Sequence, residues 1–132
     1  VSIEKKKKKK EADMPRYVGF IRNVDDSRTG LSPGEAQRTL EAYVTWSDDL
    51  ERQGKLVLSS GLSHSQSRVV RLVDGSLAST DGPHTEATEV VGGFIVVEAD
   101  DLDQAEKLFG THPHLRFGPI EVRKIGENGC EA

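Results

Sequence analysis

The sequence predicts an α+β fold with an antiparallel sheet, on three observations. Segments rich in β-branched and aromatic residues recur along the 132 residues. One long and one short stretch of helical periodicity interrupt them. An Asp74-Gly75 dipeptide between two short β-forming runs marks a tight hairpin near the middle of the chain.

Taken in order, Arg16 to Val24 carries Tyr17, Val18, Phe20, Ile21 and Val24 and reads as a strand, with a polar loop running on to Gly30. Ser32-Pro33-Gly34-Glu35 is a helix start: serine caps unpaired N–H groups, proline suits the first helical position and Glu35 completes a capping box. Ala36, Leu40, Tyr43, Val44, Ser47 and Leu50 then recur at helical spacing, with Trp46 just off that stripe in a helix-packing or dimer role, and Gly54 marks the stop. Lys55 to Ser60 is a second strand that Gly61 should break. Arg68 to Val73 and Ser76 to Thr80 flank the hairpin turn, and Asp81-Gly82-Pro83 must turn again. Val90 to Glu98 is apolar on both faces, which predicts a strand buried on both sides. Asp100 or Asp101 caps a second helix whose apolar stripe is Leu102, Ala105, Leu108 and Phe109, and Gly110 ends it. Gly118 to Ile125 is the last strand.

The resulting order is β-α-β-β-β-β-α-β, a ferredoxin-like arrangement with a hairpin inserted in the middle. Two helices cover one face of such a sheet. The other face still carries Val, Ile and Phe side chains, so a second copy of the chain is the expected cover and a homodimer through sheet faces the expected assembly.

A chain of this length is expected to form one domain, over 14–126, that buries roughly two-thirds of its unfolded surface. Residues 1–13 contain the run Lys5 to Lys10; like charges with no apolar companions predict a disordered arm. Met14 resembles a native start, which would make that arm an added extension, and 127–132 reads as a flexible tail. With 18 basic and 22 acidic residues the formal charge is −4, against general nucleic-acid binding. No apolar run is long enough to span a bilayer, no signal-peptide core opens the chain, and the single cysteine, Cys130, suits a reducing compartment; a cytoplasmic location and no membrane partner are expected.

Several segments together resemble the YCII-related, or DGPF, family. They are Val73-Asp74-Gly75, Thr80-Asp81-Gly82-Pro83-His84-Thr85-Glu86, Val91-Gly92-Gly93-Phe94, Asp100-Asp101-Leu102-Asp103-Gln104-Ala105 and Glu121-Val122-Arg123. The resemblance runs from about Met14 to Ile125. It implies a dimeric α+β barrel with pockets between the sheets and loops, and relatives that include lyase-like or isomerase-like enzymes acting on ring compounds. Two positions depart from the family pattern: His84 stands where phenylalanine follows the proline, and Thr88 where a lysine precedes the second glutamate. The family's histidine on the first helix is absent.

The stiff loop around Gly82-Pro83 makes Asp81, His84 and Glu86 the candidate catalytic groups, a base with orienting carboxylates, against a purely structural turn. Arg22 and Arg123, charged strand positions near Glu121, are candidate holders of an anionic substrate, or structural ion-pair members; His112 is a further candidate substrate contact. His112 and His114 flank Pro113; with His64 and His84 they make a metal site conceivable, but loop polarity is the plainer reading and no metal is expected. No phosphate-binding glycine loop, nucleophile elbow or dinucleotide fingerprint occurs, so no cofactor is expected. Two functions follow. One is a cofactor-independent enzyme doing acid–base chemistry on a small organic, aromatic or lactone-like substrate in an inter-sheet pocket. The other is a non-catalytic dimeric module that binds a small ligand or a regulatory partner.

Overall fold

A computed structural model describes residues 14–24, 30–63, 65–81 and 89–127. Its elements are strand β1 (Arg16–Val24), helix α1 (Pro33–Arg52), strands β2 (Leu56–Gly61), β3 (Arg68–Val73), β4 (Ser76–Asp81) and β5 (Glu89–Glu98), helix α2 (Leu102–Phe109), a short 3-10 helix (Pro113–Arg116) and strand β6 (Ile120–Lys124). Four strands form one sheet in the order β2-β5-β1-β6, with every neighbouring pair antiparallel. The β1–α1–β2 connection passes over β5, and the β5–α2–β6 connection passes over β1. This is the predicted ferredoxin-like topology. Strands β3 and β4 stand outside it as a two-stranded sheet of their own.

Local chemistry sets the element ends. Ser32 is extended, and its hydroxyl accepts the Glu35 N–H at 3.1 Å and donates to the Glu35 carboxylate. Asp101 accepts the Gln104 N–H at 2.8 Å, while the Gln104 side-chain carbonyl accepts the Asp100 N–H. Each such cap contributes about 1 kcal/mol. Asp74 and Gly75 both take positive φ, 51° and 80°, as a two-residue hairpin turn requires.

The core lies between the sheet and its helices. Tyr17 and Ile21 of β1 and Ile95 and Val97 of β5 face Trp46 and Leu50 of α1 and Ala105 and Phe109 of α2. Trp46 stacks on Phe109 with centroids 5.9 Å apart. Phe109 in turn lies so close to β1 that a Cβ at Gly19 would meet its ring at 2.5 Å. A strand glycine is thus what lets α2 approach.

Five expectations are corrected. Helix α1 turns Tyr43, Ser47 and Leu50 of the predicted stripe inward, but Trp46, placed off the stripe, is buried, and Leu40 and Val44 of the stripe are exposed. The indole offers more apolar area than either aliphatic chain, and its stacking on Phe109 sets the helix's rotation. Strand β5 is buried on one face only; Phe94 and Val96 on the other are half-buried within a single chain. Gly61 does not break β2 but closes it, paired with Gly93. Asp81, expected in a turn, is the last residue of β4, opposite Arg68. The final strand is also shorter than predicted, because Pro119 has no N–H to donate and Gly118 packs against the Arg22 carbonyl.

Among the described residues no helix is long and apolar enough to cross a membrane.

Candidate functional site

A cavity of about 280 Å³ opens between α1 and the β2–β5 half of the sheet. Tyr43 and Ser47, one helical turn apart on α1, form one wall. Ile21, Ser59, Gly61, Gly93 and Ile95 form the sheet side, and His112 closes one end.

His112 and His114 were expected as polar loop residues. Both are buried, at 5% and 0% exposure. The reason is local and then tertiary. His112 precedes Pro113 at the start of the 3-10 helix and caps it with its own ring: Nδ1 accepts the His114 N–H at 2.9 Å. An imidazole nitrogen that accepts carries no proton, so the His112 proton is on Nε2. The ring is wedged edge-on between Tyr43, at 5.0 Å, and Trp46, at 4.6 Å between centroids. Trp46 is itself held by an Nε1–H bond to the Thr111 hydroxyl at 2.9 Å.

His114 bridges two elements. The β1–β6 ladder ends at Ile21 opposite Ile120, and the Arg22 carbonyl just beyond it is met by His114 Nε2 at 2.8 Å. A carbonyl oxygen can only accept, so Nε2 carries the proton and Nδ1 presents its lone pair. Facing that lone pair at 3.1 Å is the Tyr43 hydroxyl, which donates to it. The same stretch of β1 is irregular on its other side: Gly92 is an extra residue in β5 opposite Ile21–Arg22. Such bulges re-aim backbone groups beside functional sites. Gly118 completes the fit, since a Cβ there would lie 2.4 Å from the Arg22 carbonyl oxygen.

The two histidines do not form a metal-binding pair. Their rings are 6.4 Å apart at 68°, His112 Nδ1 is taken by an amide, and both nitrogens of His114 are engaged. Among the described residues no group of three or more potential ligands converges.

Of the sequence-derived candidates, the structure brings His112 to the cavity. Arg22 joins the site through its carbonyl, while its guanidinium pairs with Glu121 at 3.1 Å. Arg123 is exposed on β6 opposite Val18. Asp81 is exposed at the end of β4. His84 and Glu86, like His64, lie outside the described residues. Sequence reasoning missed Tyr43 and Ser47 as cavity residues, though their four-residue spacing on one helix face was a usable signal. It named His114 only as a polar loop residue or metal ligand and not as a buried bridge between Tyr43 and the Arg22 carbonyl.

Among solved structures, the chain is similar to a 5-chloro-2-hydroxyhydroquinone dehydrochlorinase from Burkholderia phenoliruptrix AC1100, in complex with 2,5-dihydroxybenzoquinone. The identity is 15% and the TM-score 0.43, over 89% of this chain and 100% of that one. No curated protein matches the chain. The family model of the YCII-related domain matches residues 16–128, the whole sheet and both helices, and the chain therefore belongs to the YCII-related family.

Proposed function

We propose that the protein is a cofactor-independent enzyme that moves protons on a small organic substrate held between α1 and the β2–β5 half of the sheet. The observation that carries this reading is Tyr43, which lines the cavity and whose hydroxyl is backed at 3.1 Å by Nδ1 of the fully buried His114. When the substrate gives a proton to the Tyr43 oxygen, the phenol's own proton passes to His114 Nδ1. The imidazolium so formed keeps its Nε2–H bond to the Arg22 carbonyl. The electron pair released stays on the substrate, on the oxygen where negative charge collects, and His112 closes that end of the cavity. Returning the proton at a different atom gives an isomerase; expelling a leaving group gives a lyase.

The test is deuterium incorporation from D₂O into neutral ring ketones, 2-cyclohexenone and its hydroxylated derivatives, read by mass spectrometry. Tyr43→Phe is expected to lower the rate by about 10²–10⁴-fold. Absence of enzyme-dependent exchange across the panel, or an unchanged rate in Tyr43→Phe, overturns the reading. Asp81, His84 and Glu86 remain our proposed second acid–base set on the sequence pattern, with Arg123 and the Arg22 guanidinium as anion-holding groups; His84→Ala in the same assay weighs that set against Tyr43.

We also propose that the protein works as a homodimer, in the cytoplasm. Leu58, Val96 and Val18 fall in one row across the outer face of the sheet and Phe94 and Phe20 in the next, a contiguous apolar surface. A second copy covers it by twofold pairing. Sedimentation equilibrium should give twice 14.5 kDa, and Phe20→Arg should return the 14.5 kDa species. A wild-type protein that sediments at 14.5 kDa overturns the proposal.

A further inference from the structure

We infer that the facing glycines Gly61 and Gly93 are the seat for a flat, uncharged ring bearing hydroxyl or keto oxygens, and that residue 61 sets which ligands fit. This rests on the cavity proposed above as the active site and adds the class of molecule it takes.

Among the described residues nothing requires residue 61 to be glycine. Its φ is not in the left-handed region, which among the described glycines only Gly54 and Gly75 occupy. A Cβ built on it meets nothing within 4 Å. Glycine inside a strand weakens the strand, and where neither turn nor packing calls for it, close approach of a ligand is the usual cause. Register says which way the missing side chain would point. Gly61 pairs with Gly93, and Gly93 shares its face with Ile95 and Val97, both buried under the helices. Paired residues share a face. A side chain at 61 would therefore rise from the sheet toward α1, into the cavity that Gly61 itself lines. At Gly93 the constraint is tighter, since a Cβ would come within 3.0 Å of the Ser60 carbonyl oxygen. Together the two leave a patch of bare backbone two strands wide, about 4.8 Å across. That is a surface for a planar ring, with Tyr43 and Ser47 facing it from α1.

The rim names the ring's chemistry. Its polar side chains are the hydroxyls of Tyr43, Ser47 and Ser59 and the imidazole of His112; among the described lining residues there is no Asp, Glu, Lys or Arg. Among these described residues a charged ligand would find no counter-ion in return for the water it gives up. Hydroxyls both donate and accept, and they match hydroxyl and keto oxygens on a neutral ring.

The test is an amide-resolved NMR titration with resorcinol, neutral at pH 7, against benzoate and cyclohexanol as charged and non-planar controls. Resorcinol should shift the amides of Gly61 and Gly93, and both controls should bind at least about tenfold more weakly. Gly61→Val suits a strand and should keep the unfolding midpoint while weakening resorcinol by about tenfold or more; Gly61→Ala should give a smaller loss in the same direction. No resorcinol binding at millimolar concentration, equal binding of either control, or resorcinol affinity indifferent to residue 61 in both variants overturns the seat. The titration needs no turnover. A protein that binds resorcinol at Gly61 and Gly93 but exchanges no deuterium keeps the seat and overturns only the enzymatic reading.

Discussion

Phe109→Ala is expected to destabilise the protein by about 3–5 kcal/mol, the range for truncating a fully packed phenylalanine. Phe109 is 2% exposed, and its ring joins both helices to the sheet. It closes α2 onto β1 at Gly19 and stacks on Trp46 of α1. Neighbours cannot collapse into the space it leaves, because the strand beneath has no side chain at residue 19 to follow the ring. Urea unfolding read by tryptophan fluorescence checks the value, with the midpoint lowered and the slope unchanged. A loss below about 1 kcal/mol would mean that the ring is not a closely packed part of the core. The variant should also lose the proposed proton-exchange activity, because Trp46 holds His112 edge-on and stacks on Phe109.

His114→Ala should cost about as much, for a different reason. The side chain is fully buried and serves two partners, donating to the Arg22 carbonyl and accepting from the Tyr43 hydroxyl. Its removal takes a donor from one buried group and an acceptor from another, each worth about 1–3 kcal/mol. The cavity left behind adds to that, for a total of about 3–5 kcal/mol. Tyr43→Phe removes only the hydroxyl and should cost about 1–3 kcal/mol. A double-mutant cycle between the two positions, read by urea unfolding, should show coupling of about 1–2 kcal/mol. Strictly additive losses would mean that the 3.1 Å contact carries no energy, and the proton route through it would fall with it.

Much of the fold was legible because its signals are local. Ser32 and Asp101 cap helices through atoms three residues away, and Asp74-Gly75 needs only its own backbone angles. The β1 bounds follow from composition alone. The site was less legible because its contacts are distant. His114 meets Tyr43 across 71 residues and the Arg22 carbonyl across 92. Nothing near Pro113 announces that β6 stops short at Ile120 and leaves that carbonyl to a histidine. The α1 stripe was right in part for a related reason: helical spacing admitted Leu40 and Val44 together with Tyr43, Ser47 and Leu50, and the stacking of Trp46 on Phe109 leaves the first two outside. Family resemblance identified the chain correctly but drew attention to 81–86, of which the described residues include Asp81 alone. The same pattern's Gly92-Gly93 proved nearer the cavity, one as the extra residue of β5 and the other on the sheet side of the cavity.

The hairpin of β3 and β4 has a consequence for how the molecule breathes. Among the described residues its strands pair only with each other, and Leu72 and Leu77, opposite one another across the ladder, are 76% and 74% exposed. A lone two-stranded ribbon is marginal in water. Its amides should therefore surrender their protons to solvent through local openings, while those at the centre of β1 and β5 wait for the whole molecule to unfold. Because β2 and β5 on either side of the insertion are already neighbours, the ribbon can lengthen, shrink or vary in sequence as the lineage diverges without disturbing the order of the main sheet.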